Sequence, residues 1–372
     1  MLKLFPRVIL ADKTTELRLC GDELTSGTKV TVSVQSMEKY NVPHTDKYRI
    51  DEDNRLIARD IVVNGGEAKF SFTPFGEQRH RVYIDTGARK ATFEIYSLKE
   101  DLYKLTPLKG DTHLHTTESD GLFTPTETVS AYYEAGFDYM AITDHHKYAG
   151  SAKMAATMDK IAKYFKVYPG EEVHNRGMGY FHIINMGASA SVNEIINADP
   201  DGVFENITQN AAEIKKQYAL PDCIDEKEFA FRLWVSQKIR EFGGLSVLCH
   251  PYWDAYGEYN MQTPMLEFLL ENEIFDKFFT YAFCESANDV KQAVKDLKTV
   301  AIERLNGEYR VYGPFRLVKY ARFLCDNLEP EIKAIRKGTA SKIAEAIEKE
   351  NAGIMAKIES VTQNYKKAFF GR

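Results

Sequence analysis

The residues best suited to chemistry are histidines and carboxylates strung along positions 111 to 250, beginning with Asp111-Thr112-His113-Leu114-His115-Thr116-Thr117-Glu118-Ser119-Asp120-Gly121. His113 and His115 are two residues apart, so in an extended segment both imidazoles project to one side and can grip a single ion. Asp120 offers an oxygen in the same loop. Next come Thr143-Asp144-His145-His146, then Gly170-Glu171-Glu172, His182 within Tyr180-Phe181-His182-Ile183-Ile184, and His250 within Leu248-Cys249-His250-Pro251. Each group sits on or just beyond an apolar run, the place where α/β folds put their active sites.

His113, His115, Asp120, His145, Glu172, His182 and His250 are therefore candidate metal ligands, with Glu171 the alternative to Glu172. Such a nitrogen and oxygen set favours Zn, Mn or Fe over a cysteine-type structural site, and a carboxylate among imidazoles can bridge two ions. The site is therefore expected to be polynuclear. Paired ions activate a water and clamp the attacking and leaving oxygens of a phosphoryl transfer, so no serine or cysteine nucleophile is needed.

Asp144 is expected to orient a ligand imidazole, as carboxylates behind metal-bound histidines do. His146 is a candidate acid or substrate contact, with a polar surface role the alternative. Arg176, in the loop Asn175-Arg176-Gly177-Met178-Gly179, is a candidate phosphate clamp by its fork of donors, a solvated loop arginine being the alternative. His44, His80 and His174 have no motif around them and read as surface or structural. Cys249 lies inside an apolar run and reads as a small buried hydrophobe.

The elements that must position these residues divide the chain. Residues 1 to about 100 carry period-two runs such as Lys29-Val30-Thr31-Val32-Ser33-Val34 and Arg81-Val82-Tyr83-Ile84, broken by Asn64-Gly65-Gly66 and Thr86-Gly87, a grammar that predicts a small β-sandwich. From Leu108 short apolar runs alternate with helical patterns, as in βα units. Thr124 caps a helix with Pro125 at its first position and Gly136 beyond its end, and a strand follows over 137–142. Further helices are expected near 151–165, 203–218, 226–242, 286–298, with Ser286-x-x-Asp289 as a capping box, and 315–328; strands fit 166–168, 180–186 and 245–249. The predicted domains are 1–105, 106–329 and a helical extension, 330–372, whose amphipathic spacing suits packing or oligomerisation.

With 372 residues, 44% of them hydrophobic and 27% charged, the chain can bury more than one core. A net charge of -6 argues against a general nucleic-acid or anionic-membrane surface. The 5 cysteines, Cys20, Cys223, Cys249, Cys284 and Cys325, are scattered and form no Cys-x-x-Cys pair, which reads as reduced thiols in a cytoplasmic protein. Pro6 and Arg7 interrupt the start before a signal segment could form, and no membrane span is expected.

Taken together, residues 108–256 resemble the PHP (polymerase and histidinol phosphatase) superfamily of metal-dependent phosphoesterases, in the branch whose opening motif ends Ser-Asp-Gly. The resemblance implies a distorted (β/α)7 barrel. It further implies that His113 and His115 bind one ion, that Glu172 bridges, that His182 and His250 serve a second ion, and that Asp120 and His145 hold a third. Such proteins close the site with a late Asp-x-His motif, yet no histidine follows His250, and a deletion near Asp276 and Lys277 accounts for it. The stretch Val311 to Arg322 is similar to a motif of two-domain members. The implied reaction is hydrolysis of a phosphomonoester or phosphodiester by metal-activated water, with a small phosphorylated molecule or short oligonucleotide as substrate. A non-catalytic metal-binding protein and a hydrolase of C–N bonds stay open as alternatives.

Overall fold

The computed structural model describes residues 2–38, 59–174, 182–251, 253–255, 258–259, 261–277, 279–305 and 308–372. The chain forms two compact units, one made of Met1–Thr106, Lys319–Ile332 and Ser360–Arg372, the other of Pro107–Val318 and Lys333–Glu359.

Among the described residues the first unit carries the strands β1 (Lys3–Phe5), β2 (Val8–Leu10), β3 (Thr15–Cys20), β4 (Lys29–Ser36), β5 (Arg59–Val62), β6 (Glu67–Phe72), β7 (Gln78–Asp85) and β8 (Lys90–Leu98), followed by a helical turn, α1 (Glu100–Tyr103). They make a three-stranded sheet, β1-β3-β6, and a five-stranded sheet, β2-β8-β7-β4-β5. Alternation does the work expected of it: Val30, Val32 and Val34 on β4 and Val82 and Ile84 on β7 are buried and share one core with Leu4, Leu17 and Leu19. His80 is wholly buried here between the hydroxyls of Ser36 and Ser97, each 3.0 Å from a ring nitrogen.

The second unit carries β9 (Thr106–Asp111), α2 (Pro125–Glu134), β10 (Tyr139–Ala141), α3 (Ala149–Ile161), β11 (Lys166–Tyr168), β12 (Gly170–His174), β13 (His182–Met186), α4 (Val192–Ala198), α5 (Pro200–Tyr218), α6 (Glu226–Glu241) and β14 (Leu245–Leu248). After these come β15 (Asp254–Ala255), β16 (Glu258–Tyr259), α7 (Thr263–Glu271), β17 (Tyr281–Cys284), α8 (Val290–Lys295), β18 (Thr299–Leu305) and β19 (Glu308–Tyr312). One sheet runs β11-β10-β9-β17-β18-β19, with β9, β10 and β11 parallel; a second, antiparallel, runs β12-β13-β14. Parallel bridges His145↔Glu172 and Val247↔Asp276 link the two into a curled half-barrel.

The Thr124 capping box is present, its hydroxyl accepting from Glu127 N–H and the Glu127 carboxylate accepting from Thr124 N–H. Ser286 and Asp289 are hydrogen-bonded, but they form a turn ahead of α8 rather than its capping box, and the helix covers only Val290–Lys295 of the expected 286–298. The β18–β19 hairpin lies outside the strands expected from sequence, although residues 308–312 alternate exposed and half-buried side chains.

Helices α9 (Phe315–Asn327), α10 (Glu329–Arg336), α11 (Ala340–Glu348) and α12 (Ala352–Phe370) complete the chain. Ile343, Ala346, Ile347 and Met355 join the core formed by α2, α3 and their strands, so the apolar stripe of this segment is spent on packing. Arg336 is buried there, its guanidinium 2.9 Å from Asp138 and stacked 4.1 Å from the Tyr133 ring. The Glu359 carboxylate accepts from the backbone N–H groups of Lys163, Tyr164 and Phe165. No helix among the described residues is long and apolar enough to cross a membrane.

Candidate metal centre

One end of the half-barrel gathers the ligand candidates. His113 and His115 follow β9, His145 follows β10, Glu172 lies on β12, His182 opens β13 and His250 follows β14. Two glycines make this possible. A Cβ at Gly121 would stand 2.3 Å from the His115 carbonyl oxygen, so the Ser-Asp-Gly turn folds back on its own histidine only without a side chain. A Cβ at Gly170 would meet carbonyl oxygens of Asn185 and Ile142 at 2.8 and 2.9 Å, so β12 can be flanked closely on both sides.

Glu172 is the centre of the arrangement and is fully buried. Its Oε2 faces His113 Nε2 at 3.1 Å, His115 Nε2 at 3.0 Å and His145 Nδ1 at 3.3 Å. Its Oε1 faces His182 Nδ1 at 2.6 Å, His250 Nε2 at 3.1 Å and Cys249 Sγ at 3.4 Å. Asp120, the exposed member, stands 3.1 Å from His115 Nδ1 and 3.7 Å from His145 Nε2. Ligands held about 2.0 to 2.3 Å from one tetrahedral ion lie roughly 3.3 to 3.8 Å from one another, close to these separations. Among the described residues two groups have donors within 4.8 Å of each other: His113, Glu172, Cys249 and His250, and His115, His145 and Glu172.

The donor chemistry fits divalent cations. His182 Nε2 is buried without a hydrogen-bond partner among the described residues, a costly state for a polar atom unless something else satisfies it. Burial pushes the Glu172 carboxyl up, but hydrogen bonds from His113, His115, His182 and His250 together hold it well below the usual carboxylate range. The His115 imidazole is raised, first by its hydrogen bond to Glu172, whereas burial lowers His145. Two site residues have left-handed backbones, His146 at φ 56° and His250 at φ 27°, the kind of strain that functional sites retain.

The other sequence candidates fall into place differently. Asp144 is buried, but its oxygens accept from Thr116 N–H at 2.6 Å, Thr116 Oγ1 at 2.7 Å and Ser119 Oγ at 2.6 Å. It thus holds the loop that carries His115 and Asp120 instead of holding an imidazole. Glu171 points away from the centre and accepts from Asn185, Ser191, Val192 and Asn193. His146 contacts the centre through His174, ring centroids 4.8 Å apart. Arg176 lies outside the described residues.

His174, which reads as structural in the sequence, joins the centre. It pairs with His182 across β12 and β13, the two rings 4.3 Å apart, and burial, then neighbouring histidines, lowers it to about 4. The signal was its spacing: two residues after Glu172 on a strand puts it on the same face. Trp253, which no sequence motif singles out, is 48% exposed, with its ring 5.6 Å from His182 and 5.5 Å from His250. Past β14 the Asp276 carboxylate accepts from Ser246 N–H at 2.8 Å, and Thr280 accepts from Gly110, which seats the chain directly beside β9.

The chain matches no protein-family model. A 55-residue stretch, 15% of this chain and 10% of the relative, is 47% identical to the DNA polymerase/3'-5' exonuclease PolX of Bacillus subtilis, so the chain spans only a small part of that relative's length. Among solved structures it is similar to a two-domain protein from Bacteroides vulgatus containing a predicted PHP-like metal-dependent phosphoesterase, at 15% identity and a TM-score of 0.35, over 53% of this chain and 65% of that one. It is also similar to an amidohydrolase from Chromobacterium violaceum with bound sulfate and no metal, at 20% identity and a TM-score of 0.30, over 44% of this chain and 72% of that one.

Proposed function

We propose that this chain, which is of the PHP type, hydrolyses a phosphate ester, a phosphomonoester or phosphodiester, with the help of divalent metal ions. The observation that carries the reading is the division of Glu172: one carboxylate oxygen faces His113, His115 and His145, the other His182 and His250. Zn, Mn or Fe would be held by these residues and Asp120, two or three ions per chain, in a distorted (β/α)7 barrel. Bound there, the ions would lower the pKa of a water and neutralise charge developing on phosphate oxygens.

The protein's own groups have definable tasks. Glu172 and the surrounding imidazoles supply the ligands. Asp144 fixes the 116–119 loop and so the orientation of His115 and Asp120. His146 and His174, whose rings pack against each other beside His145 and His182, would contact substrate, with Arg176 a proposed clamp for its phosphate. Trp253, half exposed beside His182 and His250, gives a flat apolar surface on which a nucleobase would stack, which favours a nucleotide or short oligonucleotide over a compact sugar phosphate. Unit one keeps its proposed β-sandwich character, with no ligand assigned to it.

The test is metal content of purified protein prepared without chelator, followed by a phosphate-ester screen on metal-loaded and metal-stripped samples. Two or more ions per chain with metal-dependent release of phosphate or nucleotide is expected. The absence of any histidine after His250 favours a second reading, a non-catalytic metal-binding protein. Bound metal with no hydrolysis of any phosphate ester would establish that reading instead.

A further inference from the structure

The geometry points to Cys249 as a thiolate ligand of one ion, held together with His113, Glu172 and His250, which would make the two parts of the centre unequal: a sulfur-containing, zinc-selective site beside an open nitrogen and oxygen site. The inference rests on the metal-centre reading above.

Cys249 ends an apolar run, and by sequence it is a packing residue. In the fold it is buried, yet its sulfur does not point only into apolar surroundings. Sγ is 3.4 Å from Glu172 Oε1 and 3.2 Å from the His182 carbonyl oxygen. It is also one of four donors, with His113, Glu172 and His250, that lie within 4.8 Å of one another. Two imidazoles, one carboxylate oxygen and one sulfur make a complete tetrahedral set, so an ion there has no need of a water. The other group, His115, His145 and Glu172, offers three ligands and the exposed Asp120, and leaves room for water and substrate. Thiolate is a soft ligand and favours zinc over manganese or magnesium, whereas the open site lacks sulfur and has no such preference. Binding takes the thiol as thiolate, and its proton leaves to solvent as the metal enters.

None of the other four cysteines belongs to either donor group among the described residues. Cys284, also buried, therefore serves as the control.

The experiment is cobalt(II) loading of the full chain, read by absorption spectroscopy. Wild type and Cys284→Ser should show a sulfur-to-cobalt charge-transfer band in the near ultraviolet together with visible ligand-field bands. Cys249→Ser should lose the former and keep ligand-field bands from the open site. Visible bands in wild type without the charge-transfer band would overturn the thiolate ligand while leaving the metal centre standing. No cobalt bands of either kind would overturn both. Should Cys249→Ser fail to fold, X-ray absorption of zinc-loaded wild type decides the matter alone: a sulfur shell at about 2.3 Å supports the ligand, and a shell of only nitrogen and oxygen refutes it.

Discussion

Glu171 and Glu172 are adjacent on one strand, both fully buried, and face opposite ways: Glu172 into the histidine cluster, Glu171 into the hydrogen-bond donors at the start of α4. Strand alternation turns two identical side chains into separable parts. Glu171→Ala leaves several buried donors unpaired, at about 1 to 3 kcal/mol for each group left unsatisfied, so the melting temperature should fall while the metal-ligand set stays intact. Glu172→Ala should instead strip metal, since both clusters lose their shared ligand. Elemental analysis and thermal unfolding of the two variants separate these effects, and equal metal loss in both would contradict the assignment.

His113→Ala combined with His115→Ala removes one imidazole from each donor group. The expected outcome is near-complete loss of bound metal with the far-ultraviolet circular dichroism retained, because both side chains are partly exposed and belong to no core cluster. Unchanged metal content would end the proposed function.

Asp144→Ala tests positioning. Its carboxylate ties Thr116 and Ser119, and Ser119 Oγ lies 3.4 Å from His115 Nδ1 and 3.2 Å from Asp120. Removing it should weaken metal binding at the His115 side roughly 10- to 100-fold, the usual effect of losing a group behind a ligand. A metal titration in which one ion weakens and the other does not is the expected signature.

Much of this centre is legible in the sequence because the histidine candidates and Glu172 sit on or just beyond short apolar runs, which the half-barrel gathers at one end. Spacing placed His113 beside His115. It could also have placed His174 beside Glu172, but no motif drew attention to it. Cys249 was hidden for another reason: an apolar flank describes a strand's burial and not where a sulfur points, and only the pairing of β13 with β14 brings it against Glu172. Asp144 looked like an imidazole partner by adjacency to His145, whereas the fold turns it to a loop some 25 residues away in sequence. In the C-terminal segment the helical stripe was readable, but the surface that covers it, made by residues such as Met140 and Phe165, was not.

His80 predicts an acid-side stability change in the first unit. Burial lowers its pKa from 6.5 to about 3. Below pH 6.5 the unfolded chain takes up a proton that the native state refuses, so this contribution to stability is fully present above that pH and declines as pH falls toward 3, by up to about 1.4 kcal/mol per pH unit. Denaturant midpoints of wild type and His80→Gln between pH 7 and 4 should converge as pH falls. Parallel curves would show that His80 titrates normally.

Trp253→Ala addresses the proposed substrate. Losing a stacking surface typically costs about 1 to 3 kcal/mol per base, so KM for a nucleotide ester should rise about tenfold or more, while turnover of a small phosphate ester with no ring to stack stays near wild type. The ligands are untouched, so metal content serves as the internal control. Equal losses on both substrates would mean that Trp253 supports His182 and His250 by packing against them, and the preference for a nucleobase would fall with it.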